Sequence, residues 1–292
     1  MARFARYRQG ESECIGIVQQ DAVHRITNLP GGVVDPMVGM IKANVEDGWE
    51  PQLEDTGTPI SAVELLAPIR RPDKNVICVG LNYHAHASEF SSSGYDSPRE
   101  ADNRPAPSAP IVFTKAPSSL IGAHCDIVVP WNLTREVDYE AELAVIIGRP
   151  GRAIPKEQAM DHVWGYSVVN DVTARDLQKT HKQWFLGKSI DTFCPMGPAI
   201  ATADEVDLSA LELRCWVNNE LRQDASLKDL IFDIPTLIAT ISASTRLEPG
   251  DIIATGTPQG VGIGFDPPRF LARGDRVKIE VPGVGTIENV IT

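Results

Sequence analysis

No stretch of this chain is apolar for long enough to cross a bilayer as a helix, so a helical membrane protein is not expected. The opening MARFARYRQG has basic residues but no apolar h-region behind them, and no secretory signal is expected either. Cysteines are few and odd in number. Cys14, Cys78, Cys125, Cys194 and Cys215 lie far apart without C-x-x-C spacing, which disfavours a disulfide framework and points to a reduced, cytoplasmic protein. Basic residues are in deficit, 27 Lys plus Arg against 39 Asp plus Glu, and they do not cluster. With a formal charge of −12 this excludes a nucleic-acid footprint, because phosphate binding needs a basic surface.

Several catalytic signatures are missing too. There is no H-E-x-x-H, no G-x-S-x-G and no zinc-type Cys/His pairing. LGKS (186–189) lacks the first glycine of a phosphate loop, since Lys182 stands there, and GVGIGF (260–265) puts Phe265 where a dinucleotide fingerprint needs its third glycine. No internal repeat is visible.

What is present is 292 residues, enough for one large domain or a large domain with a small appendage. The first part alternates short β-like runs with turn clusters at residues 9–12 and 19–21, and reads as a small antiparallel unit. The Pro- and charge-rich APIRRPDKN (67–75) reads as a join, which gives a small β-rich N-terminal domain at 1–70 and a catalytic domain at 71–292. VICVGLNY (76–83) and DHVWGYSVVND (161–171) read as buried strands, and TARDLQKTHKQW (173–184) as a helix. CWVNNELRQDAS (215–226) reads as two strands around an Asn-Asn turn. An amphipathic helix carries Ile234, Leu237, Ile238 and Ile241, with a stop at Pro249-Gly250. Residues 88–110, rich in Ser, Pro and Asp, read as a long loop, either a lid or a disordered insert. Strands do not alternate regularly with helices, so the expected class is α+β, predominantly β.

Three constellations carry chemistry. In VDYEAELAVIIG (137–148), Glu140 and Glu142 are two residues apart in a β-like run, and alternate side chains of a strand share a face. Two buried carboxylates side by side need a cation. Asp171, at the end of the next strand, offers a third, and an all-oxygen set suits Mg²⁺ or Mn²⁺. A solvated sheet face paired with lysines is the alternative. In GLNYHAHASE (80–89), His86 and Glu89 are spaced i, i+3, so on a helical turn the carboxylate can orient the imidazole as a general base. Two solvated side chains at the start of a polar loop would fit the same letters, and spacing does not exclude His84. TGTPQGVG (255–262) offers backbone N–H groups and hydroxyls suited to an anionic oxygen, or is simply a turn.

Taken in order, CVGLNYHAHASE, FTKAPSSL, DYEAELAVIIG, GYSVVNDVTARDLQ, GKSIDTFCPMGP and IATGTPQGVG resemble the fumarylacetoacetate hydrolase family over about residues 65–292. The resemblance implies a rolled mixed β-sandwich preceded by a small N-terminal domain, usually as a homodimer. It implies Glu140, Glu142 and Asp171 as the ligands of Mg²⁺ or Mn²⁺, His86 and Glu89 as a catalytic dyad, and residues 84–110 as a lid. Arg175, Gln178, Lys188 and Thr257 match positions that contact substrate or the catalytic water. Tyr83 of the NY pair is expected to bind substrate and Lys188 to be catalytic.

The substrate implied is a small anionic 2-oxo acid, with no nucleic-acid or membrane partner. The reaction expected first is metal-dependent hydrolysis of a carbon–carbon bond in an acylpyruvate or fumarylpyruvate, the metal stabilising the enolate that leaves. The alternatives are oxaloacetate decarboxylation or keto–enol isomerisation on the same ion, and a catalytically silent ligand-binding homologue.

Overall fold

The computed structural model describes residues 2–31, 34–94 and 107–292. In chain order its regular elements are β1 (Arg3–Gln9), β2 (Ser12–Gln19), β3 (Ala22–Arg25), α1 (Pro36–Asp47), β4 (Thr58–Pro59), β5 (Glu64–Leu66), β6 (Val76–Gly80), α2 (His84–Ser92), β7 (Ile111–Lys115) and β8 (Leu120–Ile121). After these come β9 (Val137–Asp138), β10 (Ala141–Ile147), β11 (Val163–Asn170), β12 (Thr173–Ala174), α3 (Arg175–His181), α4 (Phe185–Lys188) and β13 (Cys194–Thr202). The chain closes with β14 (Glu212–Val217), β15 (Glu220–Ser226), α5 (Ile234–Ser244), β16 (Ile252–Ala254), β17 (Arg276–Val281) and β18 (Gly285–Val290). The sheet-dominated α+β class expected from the sequence is what the chain adopts.

One large sheet runs β4-β3-β2-β1-β13-β11-β10-β16-β6-β7, with β5 beside β1 and β8 beside β13. A four-stranded sheet, β15-β14-β17-β18, packs against it. Leu143, Val145 and Ile147 of β10 enter the core between the sheets, together with Leu213, Cys215, Ile279 and Ile287. Ala144 and Ile146 point the other way, into a second core beneath Met37, Met40 and Ile41 of α1. Burial on both faces explains why β10 reads as an unbroken apolar run rather than an alternating one.

The N-terminal strands are joined to this sheet: β1 pairs with β13 through Arg3↔Ala201 and Phe4↔Ile200. Local rules account for several turns. Asn218 and Asn219 both take left-handed conformations, φ 50° and 69°, in the hairpin between β14 and β15, as an Asn-Asn turn requires. Helix α1 is absent from the sequence reading, although Asp35 caps it by accepting from Met37 N–H, Pro36 opens it and Gly48 closes it in the left-handed conformation.

Three expectations change. Residues 88–92 are not loop but the last turns of α2, and residues 95–106 of the expected lid lie outside the described residues. The expected helix after Asp171 is two, because Lys182 at φ 59° breaks the chain between α3 and α4. Helix α5 ends at Ser244, before Pro249-Gly250, where a Ser/Thr-rich stretch competes for backbone hydrogen bonds.

The registers place the site. Ala141 pairs with Asn170, Ala144 with Ala254, and Ile253 with Ile77. The start of β10 and the ends of β11, β16 and β6 therefore share one edge, and the segments that leave it carry all three constellations.

Candidate metal and active site

Glu140, Glu142 and Asp171 are buried together, each offering a carboxylate oxygen within 4.8 Å of the others. Strand pairing is the cause. Asp171 N–H donates to Glu140 O at 2.9 Å, continuing the β10–β11 ladder by one step, so Asp171 is carried up to the two glutamates. Burial removes the solvated-face alternative for Glu140 and Glu142. Its lysine half survives at Glu140, which lies 2.9 Å from Lys188 Nζ and 2.7 Å from Arg175 Nη2.

Asp171 is held at both oxygens, by Lys115 Nζ at 2.6 Å and Lys188 Nζ at 2.8 Å. Asp138 accepts from Arg175 Nε at 2.9 Å. Four buried carboxylates, Asp138, Glu140, Glu142 and Asp171, thus face three buried cations, Lys115, Arg175 and Lys188, and one negative charge is in excess.

The excess falls on Glu142. Among the described residues its one hydrogen bond is from Gly256 N–H at 2.7 Å. Burial, and then Asp171 and Glu140, push its carboxyl well above the ordinary carboxylate range. Burial would also raise Glu140, but Lys188 and Arg175 overrule it and hold that carboxyl down at about 2. Two glutamates two residues apart are therefore in opposite states: one neutralised by the chain, the other not. Three converging hard oxygen donors with an unmatched negative charge fit a divalent cation.

His86 and Glu89 share a face of α2. His86 Nδ1 lies 3.1 Å from Glu89 Oε2, and Glu89 Oε1 accepts from Gly260 N–H at 2.9 Å. A carboxylate on Nδ1 places the imidazole proton there and leaves Nε2 as the free acceptor. His86 is buried and His84 is exposed, so of the two histidines it is His86 that faces the acidic cluster's cavity.

A cavity with room for about one water (about 10 Å³) is lined by His86, Glu140, Arg175, Gln178, Lys188 and Thr257, and walled by Phe90, Phe113 and Trp184. Six of the residues expected at the site thus meet around one small space. Gln178 accepts from Arg175 Nη1 at 3.1 Å, and Thr257 Oγ1 accepts from Gln223 Nε2 at 2.8 Å. Tyr83 is placed differently. It is not among the cavity's lining residues, and its buried hydroxyl makes no hydrogen bond among the described residues.

The TGTPQGVG segment does bind anionic oxygen, but the oxygens belong to the chain itself. Gly256 N–H donates to Glu142, Gly260 N–H to Glu89, and Gly262 N–H to Asp138 at 2.6 Å. Asp138 and Lys115 are buried charged side chains bonded to the site's residues that the sequence reading did not single out. Asp138 stands one strand repeat before Glu140, so D-x-E-x-E was its available signal, and Lys115 is a lone charge ending the β7 run IVFTK.

Residues 75–292 match the family described as fumarylacetoacetate (FAA) hydrolase, C-terminal, and residues 2–68 match one described as Rv2993c-like, N-terminal. The chain is 52% identical over 234 residues to oxaloacetate tautomerase YisK of Bacillus subtilis (strain 168), covering 80% of this chain and 74% of that one. Its fold is similar to that of the fumarylacetoacetate hydrolase of Exiguobacterium antarcticum (TM-score 0.82, 39% identity, 100% and 99% of the two chains). It is similar also to maleylpyruvate hydrolase of Sphingobium sp. SYK-6 in complex with manganese(II) and pyruvate (TM-score 0.76, 34% identity, 99% and 98%). Among the described residues no helix is long and apolar enough to cross a membrane.

Proposed function

We propose that this chain, which belongs to the fumarylacetoacetate hydrolase family, interconverts the keto and enol forms of a short 2-oxo diacid of the oxaloacetate kind. Hydrolysis of an acylpyruvate, the reaction expected first from the sequence, becomes the second reading. The observation that carries the change is 52% identity over 234 residues to an oxaloacetate tautomerase.

Glu140, Glu142 and Asp171 would hold Mg²⁺ or Mn²⁺, and the ion would supply positive charge next to the 2-oxo group, lowering the energy of the enolate. The remaining work belongs to side chains. Arg175 and Lys188 bind and orient the anionic acid, each anchored on buried carboxylates so that its charge is fixed in place. Burial disfavours charge on Lys188, but Asp171 and Glu140 outweigh it and raise its pKa, so it stays protonated and acts as a cation rather than a base. His86 Nε2 takes the proton from the carbon beside the oxo group. The C–H electron pair becomes the carbon–carbon double bond, and the former oxo oxygen gains a proton, so no proton is lost overall. Glu89 on Nδ1 stabilises the imidazolium formed in between. Phe90, Phe113 and Trp184 keep bulk water from it.

The test follows the ultraviolet absorbance of the enol after oxaloacetate is dissolved in its enol form, with Mg²⁺ or Mn²⁺ present and pyruvate release measured in parallel. Wild type should speed the approach to the keto–enol equilibrium without releasing pyruvate, and His86→Asn should lose roughly 100-fold or more of that rate. No acceleration of tautomerisation, with pyruvate released from acylpyruvates instead, would transfer the assignment to the hydrolase reading, which the manganese- and pyruvate-bound neighbour supports.

A further inference from the structure

Glu89 sits against a glycine. A Cβ built on Gly264 would lie 1.8 Å from Glu89 Oε1, 2.2 Å from Cδ and 2.6 Å from Cγ, and these are its three nearest atoms. Gly264 closes a single turn of 3-10 helix (Gly262–Gly264), where its φ lies outside the left-handed region and any residue could stand. The need for glycine here is one of space. Four residues earlier, Gly260 has φ 96° and a Cβ would meet Arg222 O at 1.9 Å, so that position needs glycine for its backbone as well. Between the two, the carboxylate of Glu89 accepts Gly260 N–H with one oxygen and faces His86 Nδ1 with the other.

We infer that Gly264 is a positioning residue for the dyad: the missing side chain at 264 forms the slot that lets Glu89 reach His86 and fix its tautomer. The role of His86 as base rests on the function proposed above; the slot itself does not. A rival account is ordinary packing, because α2 also rests on this segment through Ala87 and Phe90 against Val261 and Ile263. The two accounts differ in what a methyl group at 264 does once Glu89 has been shortened. If the slot serves Glu89, the collision vanishes with the carboxylate. If it serves the helix, the damage persists.

Gly264→Ala, Glu89→Ala and the double variant are compared with wild type by oxaloacetate tautomerisation and by the ¹⁵N imidazole spectrum of His86. Gly264→Ala should lower kcat about 10- to 100-fold, by the same factor as Glu89→Ala within about threefold, with KM nearly unchanged. The double variant should match Glu89→Ala within about twofold. His86 should give a single Nδ1–H tautomer in wild type and a tautomer mixture in both single variants, a readout that needs no substrate and so judges the slot even if the tautomerase reading fails. Near-wild-type rate and spectrum in Gly264→Ala, or a double variant more than about fivefold slower than Glu89→Ala, would overturn the inference. Should Gly264→Ala not fold, a folded double variant supports the slot and an unfolded one refutes it.

Discussion

Replacing Glu142 by glutamine should make the metal-free protein more stable, and the same replacement at Glu140 should make it less stable. The side chains are chemically identical and differ in their partners. Among the described residues Glu142 has one donor, Gly256 N–H, and burial beside Asp171 and Glu140 raises its carboxyl well above its ordinary value of 4.5. The native metal-free protein therefore holds a proton that the unfolded chain releases above pH 4.5. Retaining it costs free energy that grows as pH rises from 4.5 towards the raised native value. A carboxyl raised on folding makes stability fall as pH rises, because the native state then binds more protons than the unfolded one. Metal-free wild type should lose stability from pH 4.5 upward, while Glu142→Gln is free of that slope. Their difference should be smallest at about pH 4.5 and should grow in favour of the variant as pH rises towards about 7. Glu140→Gln instead breaks contacts of 2.7 Å to Arg175 and 2.9 Å to Lys188. Breaking a buried pair costs about 3–5 kcal/mol. Urea denaturation of chelator-treated protein at several pH values measures both effects, and titration calorimetry with Mg²⁺ and Mn²⁺ should show Glu142→Gln binding either ion roughly 100-fold more weakly. If Glu142→Gln destabilised the metal-free protein at neutral pH as much as Glu140→Gln does, Glu142 would be a structural group, and its reading as the ligand kept for an ion would fail.

Other perturbations test the frame around that charge. Asp138→Asn sets an amide donor against Arg175 Nε and the Ile263 N–H, now 2.9 and 3.2 Å from Asp138 Oδ2; it should raise KM for oxaloacetate at least about tenfold and lower stability by about 2–4 kcal/mol, read by steady-state kinetics and urea denaturation. Asn82 bonds Phe232 N and O and Thr255 O, tying the entry to α2 to the segment after β16; Asn82→Ala should cost about 3 kcal/mol, visible as a lower urea midpoint at unchanged slope. Trp184 packs so closely over Gly80 that a Cβ there would stand 2.3 Å from its ring. Trp184→Ala should raise kcat/KM for bulkier 2-oxo acids relative to oxaloacetate at least about tenfold, and an unchanged ratio across a substrate panel would remove Trp184 as the wall that sets substrate size.

The pairing of Glu140 with Glu142 was legible in the sequence because alternate residues of an extended chain share a face, but whether that face is buried was not, and Glu140 stands just before β10 rather than within it. The i, i+3 spacing likewise announced His86 and Glu89, which α2 brings together. Lys115 was not legible as a partner, since Asp171 lies 56 residues away and only the folded sheet brings them together. Helix α1 was missed although its cap and terminating glycine are ordinary signals, because Gly39 and Ala43 thin its apolar stripe. The reaction could not be read from spacing at all. Hydrolysis, decarboxylation and tautomerisation call on the same ion, cations and base, and differ in whether a water or only a proton must reach the carbon chain.

A single segment holds three of the carboxylates in this site. Gly256 N–H holds Glu142, Gly260 N–H holds Glu89, and Gly262 N–H with Ile263 N–H holds Asp138, which in turn orients Arg175. Within eight residues the backbone fixes a carboxylate of the acidic triad, the carboxylate beside His86 and the carboxylate beside Arg175. Main-chain donors suit this work because they carry no side-chain entropy and cannot change protonation state. The segment is itself clamped: Tyr139 donates to Gly260 O at 2.8 Å, and Gln223 to Pro258 O at 2.8 Å. Tyr139 lies between Asp138 and Glu140, so the short link from β9 to β10 that carries Glu140 also fixes the loop that holds Glu89. Displacement of that loop would therefore disturb Glu142, the His86–Glu89 pair and Arg175 together, so variants within it should show coupled rather than additive losses.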